Sequence, residues 1–367
     1  MKQIAVVGAG KIGATIATML VGTGDYHVTL IDQSDAALSS FARSDALETK
    51  ALDISALGAL EEQLKGKFAV LSAAPFHLTT RIAQAARAES VHYLDLTEDV
   101  ASTRAVKELA KGAKTAFIPQ CGLAPGFISI VAYDMAKRFD TLESVRMRVG
   151  ALPQYPSNSL NYNLTWSTDG VINEYIEPCE AIMNGQLVKV PSLEEREEFS
   201  LDGVLYEAFN TSGGLGTLCE TLEGKVRTLN YRTIRYPGHA QIMKTLLNDL
   251  GLRDRRDVFK SLLESVVPAT LQDVVVIFVT VVGKRSGKLL QDTYANKVYS
   301  KSVGGEVRSA IQITTASGIC AVLDMLADGK LPNAGFVRQE DISLDAFLAN
   351  RFGSAYAMQS QLHLEAA

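Results

Sequence analysis

The stretch VVGAGKIGATIA, residues 6–17, constrains the fold more than any other part of the chain. It sets Gly8, Gly10 and Gly13 directly after a continuous apolar run, QIAVVG, and at the opening of a helically spaced one. Gly8 permits a tight turn, Gly10 lets the backbone approach a pyrophosphate, and Gly13 lets helix and strand pack closely. An anion then rests on the helix N-terminus, where unpaired N–H groups and the helix dipole attract it. Lys11 and Ile12 lie in the same turn and join the candidate cofactor contacts. Asp32 closes the next apolar run, HVTLID, about 20 residues beyond the last glycine. A carboxylate there hydrogen-bonds ribose hydroxyls and repels a 2′-phosphate, so the expected cofactor is NAD rather than NADP. Asp53, ending the run ALDI, either reaches the adenine edge or caps a helix.

The same rhythm continues through ALETKALDI, FAVLSAA, VHYLDLT and KTAFIPQ, separated by helical patterns such as PFHLTTRIAQAARAES, with Pro75 at its entrance. Near-unbroken Val/Ile/Leu runs alternating with helices predict a parallel sheet covered on both faces, a doubly wound α/β domain of the Rossmann type over 1–127. After Phe127 the pattern changes. SVRMRVGAL, GQLVKV, KVRTLNYRTIRY, VVVIFVTVVGK and ANKVYSK alternate or flank turns, which predicts a second α+β domain with a mixed or antiparallel sheet over 128–308. Acidic SLEEREEFSLDG reads as a solvated connection. SAIQITTASGICAVLDMLADG is again helical, and 309–367 is expected to return to the first domain.

Charge and cysteine usage narrow the function classes. A net charge of −5 argues against a nucleic-acid surface and supplies no polybasic membrane patch. The four cysteines are dispersed without a C-x-x-C pair, so neither a disulfide framework nor a metal site is expected. Met1 leads into an apolar strand without a basic n-region, and VVVIFVTVVG falls short of a membrane span. The expectation is a soluble, cytoplasmic protein with a small-molecule partner and no nucleic-acid or membrane partner.

Ligands of open parallel sheets bind beyond the carboxyl ends of the strands. Three short loops occupy that edge. SAAPFH brings Ala73, Ala74 and Pro75 toward a cofactor and Phe76 toward a substrate; DLTED offers Thr97, Glu98 and Asp99; QCGLAPG offers Cys121 and Gly122. Glu98 and Asp99 are carboxylates suited to an ammonium or a water, and Asp99 equally suits a helix cap. Cys121 is either a weak donor or a small buried hydrophobe. Farther along, Arg235 carries the fork that matches a carboxylate, and His239 has the ordinary pKa of a proton acceptor or serves the structure alone. Trp166, the single tryptophan, walls an aliphatic chain or sits in the core.

GAGKIG, AAPFH, CGLAPG, NYNLTWSTDGVINEY and YRTIRYPGH stand in an order and spacing that resembles the saccharopine dehydrogenase family, over residues 1 to about 252. The resemblance implies a dinucleotide domain, a second domain carrying much of the substrate site, and NAD(P)-linked hydride transfer at the carbon–nitrogen bond of a lysine-derived amine. Relatives that hold an extra dicarboxylate use added basic residues before TIRY. Here FNTSGGLGTLCETL has none, so the resemblance points to a substrate with one carboxylate: L-lysine, oxidatively deaminated at its ε-amine to a semialdehyde that cyclises. Saccharopine-type or carboxyspermidine-type condensation and a non-catalytic NAD-binding regulator are the alternatives. A homodimer through the second domain is expected because DVVVIFVTVV is apolar on both faces.

Overall fold

The computed structural model describes residues 1–41, 44–56 and 58–358; the last nine positions of the expected C-terminal return lie outside the described residues. The first sheet contains β1 (Lys2–Val7), β2 (Tyr26–Asp32), β3 (Leu47–Ala51), β4 (Ala69–Ser72), β5 (His92–Asp95) and β6 (Ala116–Ile118). They run parallel in the order β6-β5-β4-β1-β2-β3. The central strands are buried on both faces, which is why they read as continuous apolar runs rather than alternating ones. Strand order reverses between β1 and β4, and the turns leaving these two strands diverge into a crevice. The segment expected to begin a helix at Pro75 first makes a 3₁₀ turn, Phe76–Leu78, before the α-helix Thr79–Glu89.

The C-terminal region returns to this sheet. Gly335–Phe336 pairs parallel with β6, and the helix Ala310–Ala327 packs on the helix Lys11–Val21. Ala310–Ala327 has the length and apolar composition of a membrane span, yet nearly all of it is buried inside the protein. Its N-terminus is closed by a Ser309–Gln312 capping box and by the Asp273 carboxylate, which accepts from the backbone N–H of Ala310 and Ile311. Near its other end Asp324 accepts from the Tyr26 hydroxyl at 2.6 Å, tying the helix to β2.

The second sheet contains β7 (Thr141–Pro153), β8 (Cys179–Met183), β9 (Gln186–Val190), β10 (Glu197–Leu201), β11 (Val204–Asn210), β12 (Val226–Arg235), β13 (Asp273–Arg285) and β14 (Lys288–Tyr299). Its path is β10-β11-β12-β7-β13-β14, with the β8–β9 hairpin attached to β12. The sheet is mixed, because β12 runs parallel to β7 while the other pairs are antiparallel. The acidic segment read as a solvated connection is in part the edge strand β10. Glu197 pairs with the buried Arg148 at 2.6 Å and Phe199 stacks on Phe278, so alternate residues of the segment turn inward. Much of the outer face of β13 is covered within the chain, where Val274 and Val276 join Leu152, Tyr206 and Ile234 in one cluster.

Candidate active site

A cleft of about 920 Å³ opens between the two sheets. Its first wall is the carboxyl edge of the parallel sheet: Gly8, Gly10, Ile12, Asp32, Ala73, Ala74 and Pro75. Gly8 has φ +102°, and a Cβ there would lie 2.6 Å from the Ala73 carbonyl. At Gly13 a Cβ would lie 1.8 Å from the Gly8 carbonyl, so this glycine serves close packing behind the turn. Gly10 differs from both: a Cβ there would meet no protein atom within 4 Å, although it faces the cleft. Nothing in the chain itself demands glycine at that position, and a diphosphate laid on the helix N-terminus would. Asp32 holds the turn in place, accepting from the Ala9 N–H at 2.7 Å and the Ser34 N–H at 2.9 Å, while still lining the cleft. These residues fit a nicotinamide dinucleotide.

The loop after β6 is fixed from beneath. Asp95, buried at the end of β5, accepts from the Gln120 and Thr97 N–H groups and from the Tyr93 hydroxyl, and its carbonyl accepts from the Cys121 N–H. Burial pushes the Asp95 carboxyl up to about 6 against these donors. Above the loop, a Cβ on Gly318 would come within 2.5 Å of the Cys121 carbonyl, so the Ala310–Ala327 helix presses directly on it. Gly122 and Pro125 reach the cleft from this braced segment, beside Ile311 and Thr315 of that helix.

The second wall belongs to the mixed sheet. Val149 and Ala151 of β7 and Tyr231, Thr233 and Arg235 of β12 alternate onto the cleft face. Arg235 is 2% exposed and sits at the end of β12. Its Nε donates to Tyr175 Oη at 2.8 Å and its Nη1 to Thr233 Oγ1 and the Ile234 carbonyl; Nη2 has no protein partner among the described residues. The guanidinium also lies 5.0 Å from the Tyr162 ring centroid. Trp166 lines the cleft with its indole against Gly170, where a Cβ would overlap the ring.

Of the carboxyls that line this cleft, two accept no hydrogen bond from another residue among the described residues. Glu98 follows β5 on the first wall; Glu174 lies on the helix Thr168–Ile176 of the second. Burial pushes Glu98 up to about 7, with Asp99 and Asp95 adding repulsion. Burial pushes Glu174 up to about 8, opposed by Arg235 and reinforced by Glu98. Unpaired acids poised near neutrality in a cleft are the pattern of proton-transfer groups.

The structure therefore brings together Gly8, Gly10, Ile12, Asp32, Ala73, Ala74, Pro75, Phe76, Thr97, Glu98, Gly122, Trp166 and Arg235 from the residues expected at the site. Six others stand elsewhere, Gly13 among them, packed behind the turn. His239 is fully buried behind Arg235, with Nε2 3.0 Å from Tyr175 Oη and Nδ1 2.8 Å from the Leu160 carbonyl, so it has no face toward substrate. Burial and the Arg235 charge lower its pKa to about 3, which removes it as a proton acceptor. Asp99 caps the helix Val100–Leu109 by accepting from the Ser102 N–H at 2.7 Å. Asp53 closes a local turn with Ser55, and Lys11 is exposed and off the wall. The Cys121 thiol points inward, donating to the Ile118 carbonyl and accepting from Gln339.

Among the lining residues that sequence reasoning missed are Glu174, Arg256 and Lys260. Glu174 stands in VINEY, and the signal for it was an acid within a helix otherwise buried from Val171 to Tyr175. Arg256 and Lys260 come from the helix Arg256–Val266, one turn apart, and reach the cleft rim beside Asp169, to which Lys260 is paired. Basic residues therefore stand at the cleft rim on an element other than the segment before TIRY.

A family model described as the saccharopine dehydrogenase NADP binding domain matches residues 4–118, and one described as the saccharopine dehydrogenase C-terminal domain matches residues 122–352. The mitochondrial alpha-aminoadipic semialdehyde synthase of Bos taurus is 24% identical over 355 residues, covering 91% of this chain and 36% of that protein. Its Mus musculus counterpart is 26% identical over 199 residues, covering 52% of this chain and 21% of the relative. The chain spans 36% of the bovine relative's length. Among solved structures, apo saccharopine dehydrogenase (L-Glu forming) from Saccharomyces cerevisiae superposes with a TM-score of 0.75 at 16% identity, covering 93% of this chain and 94% of that one. Homospermidine synthase from Legionella pneumophila, in complex with NAD, superposes with a TM-score of 0.69 at 11% identity, covering 98% and 90%. At these identities the two structures establish a shared fold.

Proposed function

The chain belongs to the saccharopine dehydrogenase family, and from that premise we propose that it is a lysine 6-dehydrogenase, oxidising the ε-amine of L-lysine with NAD. One observation carries the reading: a free guanidinium edge and two unpaired carboxyls converge on the cleft that holds the dinucleotide fingerprint. Arg235 Nη2 meets the substrate α-carboxylate, and Glu174 beside it meets the α-ammonium. The four-methylene chain lies along Trp166. Glu98, on the dinucleotide wall, takes the proton from the ε-ammonium, since a protonated amine cannot support hydride loss. When bound, NAD supplies the hydride acceptor. Hydride loss leaves the ε-imine, which one water hydrolyses, so the products are the semialdehyde, which closes on its own α-amine, ammonia, NADH and the proton taken from the amine. Asp32 favours NAD over NADP by presenting a carboxylate where a 2′-phosphate would sit.

A second reading has one observation of its own. Arg256 and Lys260 at the rim offer cationic groups that a second carboxylate would use, as in saccharopine-type chemistry. A screen of lysine, ornithine, saccharopine and polyamines at saturating NAD, read as NADH absorbance, separates the two. Lysine-dependent NADH formation with ammonia release supports the proposal. Turnover confined to saccharopine, or, with NADH supplied instead, NADH consumption that requires lysine together with a keto acid, would replace it.

A further inference from the structure

His239 lies outside the cleft, yet its bonds lead straight to it. The Leu160 carbonyl accepts only, so His239 Nδ1 carries a proton. Burial and Arg235 keep the ring neutral, which makes Nε2 an acceptor. Arg235 Nε donates only, so Tyr175 Oη accepts from it and turns its own proton toward His239 Nε2. Every donor and acceptor along Arg235–Tyr175–His239–Leu160 is therefore determined. The imidazole is also caged by aromatic rings, stacked on Phe209 at 6.3 Å and tilted against Tyr162 at 5.2 Å. Thr233 and the Ile234 carbonyl hold Nη1, and Nη2 alone is left for the cleft.

We propose that Tyr175 and His239 are positioning residues for anion recognition: they fix the plane of the Arg235 guanidinium so that Nη2 meets a substrate carboxylate. The assignment deepens the lysine reading and rests on it for the identity of that carboxylate. His239 acts through Tyr175 and takes no proton from the substrate. The network explains why His239, behind Arg235, is fully buried.

Two measurements test this. In the unliganded protein labelled with ¹⁵N-histidine, with His239→Gln used for assignment, His239 should remain the neutral Nδ1–H tautomer from pH 5.5 to 9. Titration within that window would overturn the proposal, whatever the substrate. In kinetics, Tyr175→Phe should raise KM for L-lysine roughly tenfold, the size expected for one hydrogen bond to a buried charge, with kcat nearly unchanged. His239→Leu should do the same, and His239→Gln, which offers an oxygen near the place of Nε2, should restore most of the loss. The carboxylate-free probe 1,5-diaminopentane should show no KM change in any variant. A fall in kcat with KM unmoved, or loss of one limb of the pH profile in His239→Leu, would make His239 a proton-transfer group instead. If the unaltered protein turns over no lysine, the lysine reading fails, and the histidine spectra decide the positioning claim by themselves.

Discussion

The two walls of the cleft are built on opposite principles. The dinucleotide wall is made of backbone, with glycines, a rigid loop and a carboxylate that also holds its own turn. The facing wall is made of buried side chains with charge: Arg235 at the end of β12 and Glu174 on a helix far from it in sequence. A backbone site is encoded in one short contiguous motif, because its geometry is local. A buried-charge site is assembled from separate elements, and its chemistry depends on what surrounds each group.

The largest break in this comparison is Arg235→Ala. Removing a buried, hydrogen-bonded charge that recognises an anion costs about 2–5 kcal/mol, so KM for lysine should rise by about two orders of magnitude while NADH affinity stays level. Steady-state kinetics and NADH fluorescence titration read the two separately. Next is Glu98→Gln, which should lower kcat by roughly a hundredfold, within the range for loss of a general base. In the unaltered protein the carboxyl accepts a proton only when ionised, so kcat/KM should fall as pH drops below about 7.

Glu174 sharpens the comparison through stability. Its folded-state pKa of about 8 lies above its ordinary value, so protons favour the fold. Stability from this group is complete below the ordinary glutamate range and is lost as pH rises through about 8. Glu174→Gln should therefore raise the melting temperature by a few degrees at pH 9 and hardly move it at pH 4, by scanning calorimetry. The opposite sign would mean that a cation pairs with the carboxylate in solution.

Legibility in the sequence followed the same division. β1, β2, β4, β5, β6 and the glycine turn could be read directly, because strands buried on both faces leave apolar runs; the edge strand β3, LETKA, is largely exposed and is legible only from its place in the alternation. β10 could not, since Glu197, Glu198 and Ser200 mask the inward Phe199 and Leu201. His239 misled by residue type: its role is set by Leu160 and Tyr175, which lie far from it along the chain. Arg256 and Lys260 stand in a segment without a motif, and the packing of their helix on Thr168–Ile176 brings them to the cleft.

Smaller effects test the backbone wall. Gly13→Ala should destabilise the unliganded protein, because its Cβ would collide with the Gly8 carbonyl, whereas Gly10→Ala should leave the melting temperature unchanged. Asp32→Ser should weaken NAD binding and narrow the preference over NADP, checked by kcat/KM for each cofactor.

The central claim, that cofactor and substrate are held by separable walls, is tested most directly by measuring NADH affinity and lysine-dependent NADH formation in Gly10→Ala and Arg235→Ala side by side. The account predicts a double dissociation: Gly10→Ala weakens NADH binding with KM for lysine nearly unchanged at saturating NAD, and Arg235→Ala does the reverse. Equal loss of both functions in both variants, or unaltered lysine kinetics in a folded Arg235→Ala protein, would contradict it.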